Sequence, residues 1–219
     1  MFAGPNGSGK STIIKELLSK NDVIYLNADY CARVDPEIAK MHTGLEKSVR
    51  AQKETERQIK EMISSGESFA WETVFSHESR FEMMKSAKLA GYRIHLNYIT
   101  TKHPNINVRR VHDRFLRGGH DVLEEKIRER YKRSVSFLPD MILAADEVLI
   151  YDNSYDNANP TLLFQKLVGN NDDSRPNMIV WQVDDDEVTE WVMAHVIKPL
   201  NGRGIFVDCF KSSVIPKNV

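Results

Sequence analysis

Gly4-Pro5-Asn6-Gly7-Ser8-Gly9-Lys10-Ser11, followed by Thr12, satisfies the pattern G-x-x-x-x-G-K-[ST] at every fixed position. Glycines at this spacing let backbone N–H groups turn inward around a phosphate, and a helix starting behind the loop adds the positive end of its dipole. Lys10 is placed to reach the β- and γ-phosphates, and the Ser11 hydroxyl to ligate Mg²⁺. Gly4 to Thr12 therefore reads as a nucleoside triphosphate site, with Ser11 as its metal ligand and Lys10 acting in both binding and catalysis. Met1 to Ala3 form the stub of the strand ahead of the loop. A buried strand usually has about five residues, so residues missing ahead of Met1 are expected.

Outward from the loop the chain alternates strand and helix. A helix is expected over Lys10–Ser19 and a buried strand over Asp22–Asn27. Asp35-Pro36 then reads as a cap and first helical residue for a short helix to Met41. A long helix over Leu45–Ser64 carries Leu45, Val49, Ile59, Met62 and Ile63 on one face, and Gly66 ends it. Strands follow at Ser68–Val74, Tyr92–Thr100 and Glu147–Asp152. Helices are expected at Glu78–Ala90, Asn105–Arg117 and Leu123–Phe137. This alternation predicts an α/β, three-layer P-loop NTPase/kinase fold with a mainly parallel sheet and a helical flap over the phosphate site. Beyond it, Thr161–Val168 and Met178–Val183 read as a hairpin across a polar stretch. Asp184 to Asp186 cap a helix over Glu187–Ile197, and the last 20 residues have no assignable pattern. The chain is read as one domain over residues 1–219, with a core over 1–155 and an extension over 156–219.

Composition narrows the function classes. The 219 residues carry 30 Lys+Arg against 31 Asp+Glu, a net charge of -1, which argues against a wholesale nucleic-acid coat. Cys31 and Cys209 are far apart and have neither zinc-site spacing nor the look of a disulfide scaffold, so a reducing compartment is the simpler setting. No run of about 18 apolar residues exists for a membrane-spanning helix. With no signal-peptide pattern at the start, the expected location is the cytoplasm.

A phosphate loop does not name a reaction, so the strand ends must. In an open α/β sheet, ligands sit at the carboxyl ends of the strands. Asp29 lies just past the second strand and Glu72 near the end of the third, with Thr73 beside it. A carboxylate there can accept a hydroxyl proton or hold Mg²⁺ through water. Arg109–Arg133 holds nine basic residues against five acidic ones, whereas Asp140–Pro160 holds five acids and no Lys or Arg. Arg114, Arg117, Arg128 and Arg130 straddle Gly118-Gly119, a joint on which a helical flap can close over phosphates. Arg114 and Arg117 share a helical face, but Arg128 and Arg130 do not, so one of the latter is expected to be a solvated charge.

Together, GPNGSGKST, LNAD with Asp29, WET with Glu72, and RFLRGGHDV followed by EKIRERYKRS resemble the zeta-toxin-like P-loop kinases over roughly residues 1–155. The resemblance implies ATP and Mg²⁺ as cofactors. It further implies phosphorylation of a sugar hydroxyl, as in family members that modify UDP-N-acetylglucosamine, and an antitoxin protein as partner. Lys10 and Ser11 would bind phosphate and Mg²⁺, and Asp29 would be the general base. Arginines at the Arg114/Arg117 and Arg128/Arg130 positions would contact the transferring phosphates, and Glu72 and Thr73 would line the substrate side. His120 belongs to the GGH segment without a chemical role of its own. Two other readings stay open at this level: a kinase for another small molecule or a nucleic-acid end, and a nucleotide-dependent switch with slow hydrolysis.

Overall fold

The central position in the sheet falls to the shortest strand, because it delivers the phosphate loop. β1 (Phe2–Ala3) runs parallel to β3 (Phe69–Thr73) on one side and to β4 (His95–Thr100) on the other. β2 (Ile24–Leu26) and β5 (Glu147–Asp152) extend the parallel set outward. β6 (Thr161–Leu167) and β7 (Asn177–Trp181) add two antiparallel pairings, and β8 (Asp208–Phe210) runs parallel to β7. The order is β2-β3-β1-β4-β5-β6-β7-β8. The computed structural model describes residues 1–18, 23–42, 44–119, 122–167, 177–181, 185–205 and 207–210.

Side-chain alternation along the strands separates two layers of packing. Leu96 and Tyr98 of β4 enter the large core with α6 (Glu124–Ser136), α7 (Leu138–Ala144) and α8 (Asp186–Val192). Ile99 joins Phe2 and Ala70 in a smaller cluster with Ile14 of α1 (Lys10–Leu18). The expected α/β three-layer architecture is the one observed.

Several elements differ from expectation for identifiable reasons. Asn27 caps a helix α2 (Ala28–Val34), its side chain accepting the Tyr30 N–H at 2.9 Å. That helix ends where the expected one was to begin. Asp35 precedes Pro36, which disfavours the helical conformation, and Asp35 is extended at φ -65°, ψ 126°. Its carboxylate accepts the Glu37 and Ile38 N–H groups over a run of turns. In α3 (Leu45–Ser65) the buried stripe is Ala51, Thr55 and Ile59, whereas Leu45 and Val49 are 77% and 42% exposed. The small residues Ala51 and Thr55 allow α3 to lie close to Cys31 and Ala32 of α2, and the first turns of α3 project past that contact. Gly66 ends α3 at φ +75°, as read from sequence.

α4 (Ser79–Leu89) and α5 (Pro104–Leu116) fall where expected. α7 was not anticipated. It follows α6 without a break and buries Leu138, Pro139, Met141 and Ile142. The capping acids lead into α8, a π-helical turn at Met193–Ile197 and α9 (Lys198–Asn201), with Asp185 as the N-cap. Ser19, Asp22, His120, Val168 and Asp184 lie outside the described residues. The segment after Asn159 joins the sheet and also braces the flap. Trp191 Nε1 donates to the Tyr131 hydroxyl at 3.0 Å, and that hydroxyl donates to the Thr101 carbonyl at 2.6 Å.

Candidate nucleotide site

The loop between β1 and α1 can close only because its glycines have no side chain. A Cβ on Gly4 (φ +142°) would lie 2.0 Å from the Ile99 carbonyl oxygen, and one on Gly9 (φ +90°) 2.1 Å from Asn153 Nδ2. Such φ values strain any L side chain even where space exists. The loop is thus pressed against β4 and the end of β5, at the carboxyl edge of the parallel strands.

Lys10 is buried, and its Nζ donates to the carbonyls of Gly4 at 2.8 Å and Pro5 at 2.9 Å. Burial lowers its pKa, while the carboxylates of Glu72 and Asp29 raise it and the Arg114 guanidinium lowers it again. Residues from three separate elements therefore act electrostatically on one ammonium. Binding a phosphate requires Lys10 to exchange two carbonyl acceptors for phosphate oxygens, a stronger charge-assisted pairing.

The two carboxylates are held differently. Glu72, half-buried on β3, accepts a hydrogen bond from the Tyr25 hydroxyl, and its Oε1 lies 3.5 Å from Ser11 Oγ. Burial, followed by this bond to Glu72, pushes the Tyr25 phenol far above its usual range. Asp29 lies in the first turn of α2, exposed, with no hydrogen-bond or ion-pair partner among the described residues. Thr73 ends β3, and its Oγ1 accepts the Phe75 N–H of the following turn at 3.1 Å. Thr12 lies exposed in the first turn of α1, its N–H donating to the Gly9 carbonyl at 3.1 Å.

The four flap arginines part company. Arg114 acts electrostatically on Lys10, and Arg130 NH1 reaches Asn6 Oδ1 at 3.5 Å. Arg128 pairs with Glu124 of its own helix at 2.7 Å. Arg117, the C-cap of α5, is exposed, and its side chain has no hydrogen-bond partner among the described residues. Within the same basic stretch, Arg109 and Arg110 bind Asp156 at 2.6 and 2.7 Å, so part of the local charge excess is neutralised by the acidic segment.

Sequence reading missed two side-chain amides that hold the loop from outside. Asn107 Nδ2 donates to the Asn6 carbonyl at 2.7 Å and Asn153 Nδ2 to the Ser8 carbonyl at 2.8 Å. Asn153 directly follows β5. The signal for its observed position lies in the strand order, which places the ends of β4 and β5 beside the loop.

The chemistry of the loop fits a polyphosphate. Ser8 Oγ is buried without a partner among the described residues, an arrangement that is costly unless a polar group meets it. No group of three or more His, Cys, Asp or Glu able to hold a metal occurs among the described residues. Mg²⁺ needs no such group, since it keeps waters and takes one or two protein oxygens plus phosphate oxygens. Ser11 and Glu72 are oxygen donors of that kind. A cleft of about 330 Å³ against α2 is lined by Tyr25, Asn27, Tyr30, Cys31, Val34 and Gln58, among others, and Asp29 is not part of its lining. No helix of the described residues is long and apolar enough to cross a membrane.

A family model described as AAA domain matches residues 1–138. A Haemophilus influenzae protein, described as uncharacterized, is 30% identical over 131 residues, 59% of this chain and 89% of that protein. A structure from the PezAT chromosomal toxin-antitoxin system of Streptococcus pneumoniae is similar at TM-score 0.54 and 18% identity, covering 69% of this chain and 66% of that one. The AvrRxo1-ORF1:-ORF2 complex gives TM-score 0.61 at 13% identity, covering 91% and 65%. The same pair with ATP gives 0.55 at 14%, covering 86% and 61%. The chain spans less than two thirds of the length of each of these solved chains. At such identities the likeness establishes the fold alone.

Proposed function

The chain belongs to the AAA domain family, and from that premise we propose that it is an ATP- and Mg²⁺-dependent phosphotransferase acting on a hydroxyl group. The observation that carries the reading is the carboxylate of Glu72 3.5 Å from Ser11 Oγ at the phosphate loop, where Ser8 Oγ is buried without a partner among the described residues. The charges of Glu72, Asp29 and Arg114 also act on the Lys10 ammonium. A site that only bound nucleotide would need the cations and the loop. A free carboxylate beside them adds a proton acceptor.

Asp29 is the better base of the two, because Glu72 is already engaged by Tyr25 and lies next to Ser11. Asp29 accepts the proton of the acceptor hydroxyl as its oxygen bonds to the γ-phosphorus. The bond from that phosphorus to the bridging oxygen breaks, and ADP leaves with its electron pair. Lys10, Arg114 and Arg130 neutralise charge on the transferring group, which costs least where the donors are already in position. Ser11 and Glu72 are the residues that would hold Mg²⁺, which would supply neutralisation of the charge on the phosphates.

The acceptor implied by the motif resemblance is a sugar nucleotide such as UDP-N-acetylglucosamine. The cleft against α2, the helix that carries Asp29, has aromatic faces and amides from Tyr25, Tyr30, Asn27 and Gln58 in its lining. A protein antitoxin belongs to the same reading, as does a cytoplasmic location where ATP is supplied. The neighbouring solved chains are described as parts of a toxin-antitoxin system and of a two-protein complex. The pairing of Arg109 and Arg110 with Asp156 removes charge that a nucleic-acid guide would need. Asp29→Asn tests the reading: ATP affinity should stay within about twofold, while turnover falls about 10²-fold or more. Undiminished transfer by that variant removes Asp29 as the base.

A further inference from the structure

We infer that Asn107 and Asn153 are positioning residues of the phosphate loop, each fixing one peptide plane from outside so that the Gly7 and Gly9 N–H groups face the bound polyphosphate. This rests on the phosphate-binding reading above and extends it to residues outside the loop motif.

A trans peptide is planar, with its C=O and N–H pointing in opposite directions. No cis peptide occurs among the described residues. A hydrogen bond that fixes the carbonyl on one side of the plane therefore aims the N–H to the other. The Asn6 carbonyl, held by Asn107 at 2.7 Å, shares its plane with the Gly7 N–H. The Ser8 carbonyl, held by Asn153 at 2.8 Å, shares its plane with the Gly9 N–H. Neither N–H has an acceptor among the described residues. Glycine adopts either sign of φ readily, so a glycine-rich loop has little preference of its own between the two orientations of these planes. The amides select one of them.

Both supports are themselves anchored. Asn107 is fully buried and its Oδ1 accepts the Thr101 hydroxyl, which fixes which end of the amide faces the loop. The Asn153 N–H donates to the Thr100 carbonyl at 2.9 Å, and its own carbonyl accepts Arg110 NH1 at 2.7 Å. Arg110 is in turn gripped by Asp156. Asn107, Arg110 and Arg114 lie at i, i+3 and i+7 on α5, along one face of the helix. The face that brings a guanidinium to Lys10 therefore also carries one loop support and the anchor of the other. Space agrees: a Cβ on Gly7 would meet the Asn107 carbonyl oxygen at 2.7 Å, and one on Gly9 would meet Asn153 Nδ2.

The test replaces each donor isosterically, as Asn107→Asp and Asn153→Asp, with Asn153→Ala as a variant that removes the donor without setting a charge against a carbonyl. Inorganic tripolyphosphate is titrated into the full chain by calorimetry, while the Gly7 and Gly9 amide signals are followed by ¹H–¹⁵N NMR. In the wild type both amides should shift downfield on binding. Each variant should bind about tenfold more weakly. The downfield shift should be lost at Gly7 alone for Asn107→Asp and at Gly9 alone for either Asn153 variant. A purely structural role would lower stability without this residue-by-residue pattern. Folded variants that bind like the wild type, or that lose both shifts together, overturn the inference while leaving the loop a phosphate site. A wild type that does not bind tripolyphosphate overturns the phosphate reading, and the inference falls with it.

Discussion

Placing a methyl group on Gly9 and on Gly4 asks two different questions of the same loop. At Gly9 the obstacle is Asn153 Nδ2, 2.1 Å from the new Cβ, the end of a side chain that can swing away. Its departure gives up the bond to the Ser8 carbonyl, worth about 1 kcal/mol, and alanine at φ +90° adds about 1–2 kcal/mol of backbone strain. Gly9→Ala should therefore destabilise by about 2–3 kcal/mol, a drop in Tm of roughly 4–12 °C at about 2–4 °C per kcal/mol for a chain of this size. At Gly4 the obstacle is the Ile99 carbonyl oxygen of β4, 2.0 Å away and unable to move without opening the sheet. Gly4→Ala should cost at least about 4 kcal/mol. Urea unfolding without nucleotide gives the two values. In the cycle with Asn153→Ala, the Gly9→Ala penalty should shrink by about 1 kcal/mol because the lost bond is no longer there to lose. Equal penalties at the two glycines, or strict additivity with Asn153→Ala, would refute the reasoning.

The remaining expectations concern charge. Arg114→Ala should lower kcat/KM about 10²-fold or more by removing a cation beside Lys10, whereas Arg128→Ala, which loses only an exposed pair with Glu124, should stay within about twofold. Steady-state kinetics decides, and equal losses would contradict the placement. Asp152 is buried, and burial raises its carboxyl pKa above 3.8. The folded state thus holds a proton that the unfolded chain releases, and stability falls as pH rises through the window above 3.8. Asp152→Asn should therefore gain in urea midpoint relative to wild type between pH 4 and 8, while a flat or falling difference would reverse the sign.

Sequence revealed what periodicity and local chemistry encode. The loop, the parallel strands and the αL glycine at Gly66 are each specified by residues next to one another. The α2 boundary was misjudged because Asp35-Pro36 looks like a helix start, and only the Asn27 cap shows that it follows a helix end. Leu45 and Val49 fit an apolar stripe, but helix periodicity cannot tell which turns of α3 extend beyond their neighbour. The acids and arginines were found by their place in the alternation. Their partners were not, since Tyr25 on Glu72, Arg130 on Asn6 and Asn153 on Ser8 depend on strand order. Of the final strands, β6 and β7 were legible as a hairpin and do pair antiparallel, whereas β8, only Asp208–Phe210, has no pattern of its own and is defined by its pairing with β7.

A ³¹P NMR time course with Mg²⁺-ATP and UDP-N-acetylglucosamine tests the phosphotransferase account most directly. The account predicts a new phosphomonoester signal that grows with ADP in the wild type and is suppressed in Asp29→Asn. If a panel of further hydroxyl acceptors likewise yields only ADP and inorganic phosphate, the transfer account is contradicted and a nucleotide-hydrolysing switch remains.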